Sequence, residues 1–332
     1  MRKLIGIIAA LLLLVIVILL PAAYGLERQD AFLDAVKEGS IHDVRRLLEQ
    51  GQAVDAHDPE QRTALIWAAA GGHRETAELL LDFGADVNRA AAFGQTPLMA
   101  AVIGGHLATA EFLLSRGADP KAQTQSGTSA LLQAAVRDRI DLLKLLLEHG
   151  VELDVRDNHG ITALLGACHY GRTETVRFLL ERGADANTVT HAQSTPVHWA
   201  AYRGHTEIVK LLLEKKADSD RPDKYKRTPL LWTCFTGAVE SARLLLDAGA
   251  QVDVRDMDGQ TPLIVAARLG RDEMVKLLLE RRADPRSKDN AGRTALSEAR
   301  ARRHDNVAQL LREVLRRLPR ADETETDSSS CR

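Results

Sequence analysis

Cysteine is scarce in this chain: Cys168, Cys234 and Cys331 are the only three in 332 residues, which leaves room for at most one disulfide and one free thiol. Charge of one sign is lacking too, since the formal net charge is -2. That balance gives no global attraction to nucleic acid or to an anionic membrane surface, so any electrostatic preference must come from local patches. No P-loop, dinucleotide-binding glycine fingerprint, nucleophile elbow or His-Glu-x-x-His string occurs. The chain is therefore read as no enzyme, with no cofactor and no nucleic-acid partner. Apolar residues make up 45% of it and charged residues 27%, enough to bury a substantial core and too apolar for a disordered polymer.

Long hydrophobic runs are also missing, with one exception. Leu4 to Leu20 is unbroken apolar sequence, preceded by Arg2 and Lys3 and followed by Pro21. Its length lies between the ~7 to 15 residues of a signal-peptide core and the ~20 of a spanning helix. Residues 1–25 are read as a signal anchor, holding the chain in the inner membrane through residues 4–20, or as a signal peptide cleaved after Gly25, where Ala23-Tyr24-Gly25 supplies small residues. Both readings translocate the chain beyond Gly25, because Arg2 and Lys3 outweigh Arg28, which stands between Glu27 and Asp30. In a bacterium the destination is the periplasm, anchored or, after cleavage, soluble or secreted.

The rest of the chain repeats. Thr63, Thr96, Ser129, Thr162, Thr195, Thr228, Thr261 and Thr294 mark a period of 33 residues, with Asp30 in the same column one period earlier. Thr followed by Pro, as in Thr96-Pro97 and Thr195-Pro196, is a helix N-cap hydroxyl with proline at the first helical position, where its missing N–H costs nothing. Five residues on, Ala68, Ala101, Ala134, Ala167, Ala200, Ala266 and Ala299 form a packing seam from which only Thr233 departs. A first helix ends near glycines such as Gly72 and Gly204. A second carries paired apolar residues such as Leu79-Leu80 and stops at glycines such as Gly84 and Gly183, suited to the left-handed C′ position. In this register Cys168 and Cys234 share a column two repeats apart, so helices packed ~8 to 10 Å from each other hold them beyond the ~7 Å bridging limit. Both are read as small core residues.

The strings GQTPLMAAVIGGHLATAEFLLSRGADP and STPVHWAAYRGHTEIVKLLLEKKAD, with similar ones from about Asp30 to Arg317, resemble the ankyrin motif. The resemblance implies an all-α fold, an ankyrin-repeat solenoid of stacked helix-turn-helix units with a concave face used to bind proteins; an N-terminal hydrophobic helix precedes it. The expected organisation is an N-terminal capping repeat over 26–57, seven ankyrin repeats over 58–288, a C-terminal capping repeat over 289–320 and a disordered acidic tail over 321–332. Lys216 and Arg282 replace the C′ glycine and Asp138-Arg139 replaces a Gly-His pair, so either these turns are locally soft or they are tolerated surface variation. The last repeat, with SEARARR and VAQLLREVLRRL, is charged as a terminal repeat requires.

Eleven histidines invite a metal reading, but His73, His106, His205 and His304 share one repeat column and His198 belongs to a Thr-Pro-x-His helix start. His159, His169 and His191 are left over, with no paired-ligand spacing among them, and no metal site is assigned. In ankyrin-like folds the loop tip three and four residues before the Thr column, the residue just before it and the last two exposed positions of the first helix face the groove. In the middle repeats those positions hold His159, Ile161, His169, Tyr170, Tyr202, Arg203, Lys224, Tyr225, Arg227, Phe235, Arg268 and Leu269. Tyr and Arg are enriched at binding hot spots, and three of the four tyrosines lie here, so this stripe is the expected partner-binding surface. Trp199 and Trp232, nearer the packing seam, are assigned to covering the first helices. A basic cluster of Lys215, Lys216, Arg221, Lys224, Lys226 and Arg227, diluted by Asp218, Asp220 and Asp223, borders the stripe. The expected function is a protein-interaction module, a scaffold or regulator of a partner protein; the alternatives are a self-associating spacer or, more remotely, a metal-dependent enzyme, and the oligomeric state stays open.

Overall fold

The computed structural model describes residues 28–319. The leader read over residues 1–25 and the acidic tail read over 321–332 lie outside the described residues. Among those described, the regular structure is helical, with three isolated antiparallel bridges at His57 and Thr63, Gln123 and Ser129, and Lys288 and Thr294. No helix among them is long and apolar enough to cross a membrane. The chain divides into two compact units, Met1–Asn158 and His159–Arg332.

In the N-terminal unit, α1 (described over 28–37) is followed by α2 (Ile41–Glu49), α3 (Ala64–Gly71), α4 (Arg74–Asp82), α5 (Pro97–Gly104), α6 (Leu107–Ser115), α7 (Ala130–Val136) and α8 (Ile140–Glu148). Helices α3, α5 and α7 pack side by side as one layer and α2, α4, α6 and α8 as another. Residue 28 is already helical, so Asp30 sits inside α1 and not ahead of it as the Thr column would have it.

The C-terminal unit repeats the scheme. Helices α9 (Ala163–Tyr170), α11 (Pro196–Arg203), α13 (Pro229–Thr236), α15 (Pro262–Arg268) and α17 (Ala295–Ala301) form the inner layer. Helices α10 (Thr173–Glu181), α12 (Thr206–Glu214), α14 (Val239–Asp247), α16 (Asp272–Glu280) and α18 (Asp305–Arg317) form the outer one.

Local chemistry explains the helix starts. The Thr or Ser oxygen accepts the amide three residues on, from Ile66 to Thr63 at 3.3 Å through Ser297 to Thr294 at 3.2 Å. Thr228 breaks the pattern: it has the extended N-cap backbone, but its hydroxyl caps nothing and is buried without a partner. The alanine seam is fully buried, and Thr233 fits it by donating its hydroxyl to the Leu230 carbonyl at 2.6 Å. The histidine column joins one repeat to the last: Nε2 of His73, His106 and His304 donates to the carbonyls of Lys37, Ala70 and Arg268 at 2.9, 3.0 and 3.1 Å. These carbonyls lie at the ends of the preceding helices, where intrahelical partners run out. The ring needs glycine beneath it; a Cβ on Gly171, at φ 70°, would lie 2.6 Å from His205 Cε1.

The turns that lack glycine keep the same geometry. Asp138, Lys216 and Arg282 take φ of 59°, 61° and 66°. The left-handed backbone costs a side-chain-bearing residue ~1 to 2 kcal/mol. Lys216→Gly and Arg282→Gly are therefore each expected to raise stability by about 1 kcal/mol in urea unfolding, and an unchanged or lowered stability would show that these side chains compensate the turn.

Candidate protein-binding surface

The loops ahead of the inner helices carry half of the surface. In the loops ahead of α11, α13, α15 and α17 an acceptor five residues before the Thr column folds the loop back on itself. Asp223 is buried, and its Oδ1 accepts the amides of Tyr225 at 2.7 Å and Arg227 at 2.9 Å, while Oδ2 accepts Trp232 Nε1 at 3.1 Å. Asp256 accepts the amides of Asp258 and Gln260 at 3.0 and 2.8 Å in the same way. The loop tips are then stitched in a row by main-chain bonds of 3.0 to 3.1 Å, from His191 to His159, Lys224 to Ala192, Met257 to Tyr225 and Asn290 to Asp258. Each tip is thus registered to the one before it.

The ends of the inner helices carry the other half. The His169 ring meets Tyr170 edge-on at 4.9 Å and Trp199 at 4.7 Å; Trp199 lies 6.4 Å from Trp232, which meets Tyr202 edge-on at 5.0 Å. The Arg227 guanidinium lies 4.5 Å from the Tyr225 ring centre, 5.9 Å from Trp232 and 5.8 Å from Phe235, joining loop to helices. Lys224 Nζ stands over Tyr225 at 4.8 Å and Arg203 over Tyr202 at 5.8 Å. Contacts of this kind hold large side chains rigid, which lowers the entropy lost on binding.

Eight of the twelve expected site residues fall in this ring and cation network: His169, Tyr170, Tyr202, Arg203, Lys224, Tyr225, Arg227 and Phe235. Arg268 and Leu269 end α15, the next inner helix, and His159 and Ile161 lie on the loop ahead of α9, with His159 in the loop row. Tyr170, Tyr225 and Tyr202 remain 56, 43 and 37% exposed, so their faces are open to a partner. Three residues of the surface escaped the sequence reading. Met257 is 58% exposed and occupies the column of Lys224, a signal that was there to use. Trp199 and Trp232 are half-buried and link the rings of successive inner helices, so they belong to the stripe as well as covering the helices.

The electrostatics single out the middle repeats. Arg62, Arg227 and Arg293 share a column, each four residues after an aspartate. Arg62 pairs with Asp58 at 2.7 Å and Glu60 at 3.0 Å, and Arg293 with Asp289 at 2.7 Å and Glu298 at 3.2 Å. The Arg227 guanidinium has no carboxylate within 4.0 Å among the described residues: Tyr225 stands where Glu60 stands in the earlier loop, and the guanidinium lies against the Tyr225, Trp232 and Phe235 rings. Arg203 instead donates through Nη2 to His169 Nε2 at 2.7 Å. Burial, then the charges of Arg203 and His205, holds the His169 ring below its ordinary pKa.

Cys168 and Cys234 are free and fully buried, and burial pushes both thiols up, Cys234 to about 12. No group of three or more His, Cys, Asp or Glu side chains is placed to hold a metal ion among the described residues.

A family model described as ankyrin repeats in three copies matches residues 32–124, 116–190, 185–256 and 251–317. No curated protein matches the chain. Arrays of this family serve as protein-interaction modules and are typically not enzymes. With paired helices on a 33-residue period and a family match over nearly all the described residues, the chain belongs to the ankyrin-repeat family.

Proposed function

We propose that this protein binds a partner protein through the aromatic and basic stripe of its C-terminal unit, as a scaffold or regulator working outside the inner membrane. One observation carries the reading: of six large hydrophobic side chains left exposed among the described residues of that unit, Tyr170, Tyr202, Tyr225, Met257 and Leu269 lie along the inner-helix ends and loop tips, and only Leu318 does not. Aromatic anchors fixed beside guanidinium groups are the composition of interface hot spots. Tyr202→Ala combined with Tyr225→Ala is expected to weaken capture of the partner by at least ~2 kcal/mol, about 30-fold, with the unfolding midpoint nearly unchanged. Undiminished capture by that variant rules the stripe out.

The location rests on the charge asymmetry around residues 4–20, with Arg2 and Lys3 before the run and Glu27, Arg28 and Asp30 after it. With an epitope tag at the C-terminus, protease added to intact spheroplasts is expected to remove the tag. Protection of the tag until the membrane is breached contradicts the proposed side.

A further inference from the structure

Charge is sorted between the two layers of the C-terminal unit. Acids recur on the outer helices at Glu174, Glu240 and Glu273, and each already has a basic neighbour, Arg177, Arg243 and Lys276, at 3.6, 3.6 and 2.7 Å. In the terminal repeat the inner-layer charges cancel as well, because Glu298 takes both Arg293 at 3.2 Å and Arg302 at 3.5 Å. Between these lies a different region. The charged groups of Arg203, Lys224, Arg227 and Arg268 stand along the stripe with no carboxylate within 4.0 Å among the described residues, and Arg268 Nε is buried without a hydrogen-bond partner. The loop tips of the unit contribute a single acid, Asp258. The acids that dilute the basic loop in sequence are committed elsewhere: Asp223 to its own turn, Asp218 to the Asp220 amide at 2.9 Å and Asp220 to the Gln251 amide at 3.0 Å.

A row of cations without carboxylate partners, interleaved with rings on a chain of near-zero net charge, is complementary to a row of carboxylates on a protein segment. We infer that the segment the partner lays on this stripe is acidic, rich in Asp and Glu, with its carboxylates meeting Arg203, Lys224, Arg227 and Arg268. This rests on the proposed stripe and adds the chemistry of its occupant. Arg is suited to bidentate carboxylate recognition, and a field of one sign steers an oppositely charged segment to the surface.

The test presents random dodecapeptides on phage to the full chain and measures the selected peptides by fluorescence anisotropy. The selected set is expected to be enriched in Asp and Glu, and its affinity to fall as salt is raised. Arg203→Glu with Lys224→Glu is expected to reduce that affinity about 30-fold or more, whereas Lys210→Glu on α12 leaves it within about twofold. Peptides without acidic enrichment that are still lost in the Tyr202→Ala, Tyr225→Ala variant would overturn the acidic occupant and leave the stripe standing. Acidic peptides indifferent to the stripe variants would overturn both. The chain's own end also carries Asp322, Glu323, Glu325 and Asp327. If removing residues 321–332 tightens peptide binding about tenfold, that end is the occupant and a partner's acidic segment is not.

Discussion

Asp223→Ala is expected to lower stability by about 3 kcal/mol and to weaken partner capture at the same time. The carboxylate is 5% exposed and satisfies three donors, the amides of Tyr225 and Arg227 and the Trp232 indole N–H. A hydrogen bond to a charged acceptor contributes ~1.5 to 3 kcal/mol, and because these three are part-buried and water can reach the freed donors, the loss stays near the value of one or two such bonds. The main chain alone has two bonds to hold the turn, from Asp223 to the Arg227 carbonyl and from Lys226 to the Asp223 carbonyl, both 2.9 Å. The atom assignments supply a control. Both amides meet Oδ1 and the indole meets Oδ2, so Asp223→Asn can keep the first two bonds while turning its NH2 against the indole N–H. Its loss should be intermediate, about 1 to 2 kcal/mol. Urea unfolding of the three proteins checks the order; a midpoint unchanged in Asp223→Ala would assign the turn to the main-chain bonds alone.

Stability is also expected to fall by about 2 kcal/mol between pH 7 and pH 5, and about 3 kcal/mol by pH 4, through His198 alone. Its ring is 1% exposed, Nδ1 accepts the Thr195 amide at 3.1 Å and Nε2 donates to the Arg227 carbonyl at 3.0 Å. Burial outweighs the Arg227 carbonyl and the nearby Asp223 charge and pushes the folded pKa down from 6.5 to about 4. Between those values the unfolded chain takes a proton that the folded one refuses. The contribution is therefore complete above pH 6.5 and is lost as pH falls toward 4. His169, also shifted down, adds in the same direction. Gln is one of the two residue types favoured at this capping position and carries no titrating group, so His198→Gln is expected to keep the cap and remove the titration. The difference between its pH profile and that of the natural chain isolates the effect, and parallel profiles would contradict it.

What could be read from sequence was what depends on neighbours along the chain. The Thr column, the alanine seam and the left-handed glycines are short-range requirements repeated every 33 residues, and the helices start and stop where those residues fall. The turn at Lys216 or Arg282 was harder to place, since its geometry is imposed by the repeat and its cost carried by the residue. Thr228 shows the reverse: a correct cap residue whose hydroxyl finds no amide. The surface was legible as a set of columns, but its chemistry was not. That the Arg227 guanidinium lies among rings while Arg62 is held by Asp58 and Glu60 and Arg293 by Asp289 and Glu298 depends on side-chain directions that the shared column does not fix. The two tryptophans looked like packing because a half-buried ring serves both purposes, and only the ring-to-ring distances show the continuity from His169 to Tyr202.

The partner is expected on the inner-helix ends and loop tips of the C-terminal unit and not on its outer helices. A photo-crosslinking amino acid placed in turn at Tyr225, Met257, Lys210 and Glu240 in the native host tests it with one readout. Tyr225 and Met257 face out from adjacent loop tips, joined by the Met257 amide and the Tyr225 carbonyl at 3.1 Å, whereas Lys210 and Glu240 are exposed on α12 and α14. The same adduct is expected at Tyr225 and Met257 and absent at Lys210 and Glu240; an adduct confined to the outer-helix positions would put the partner on the outer layer instead.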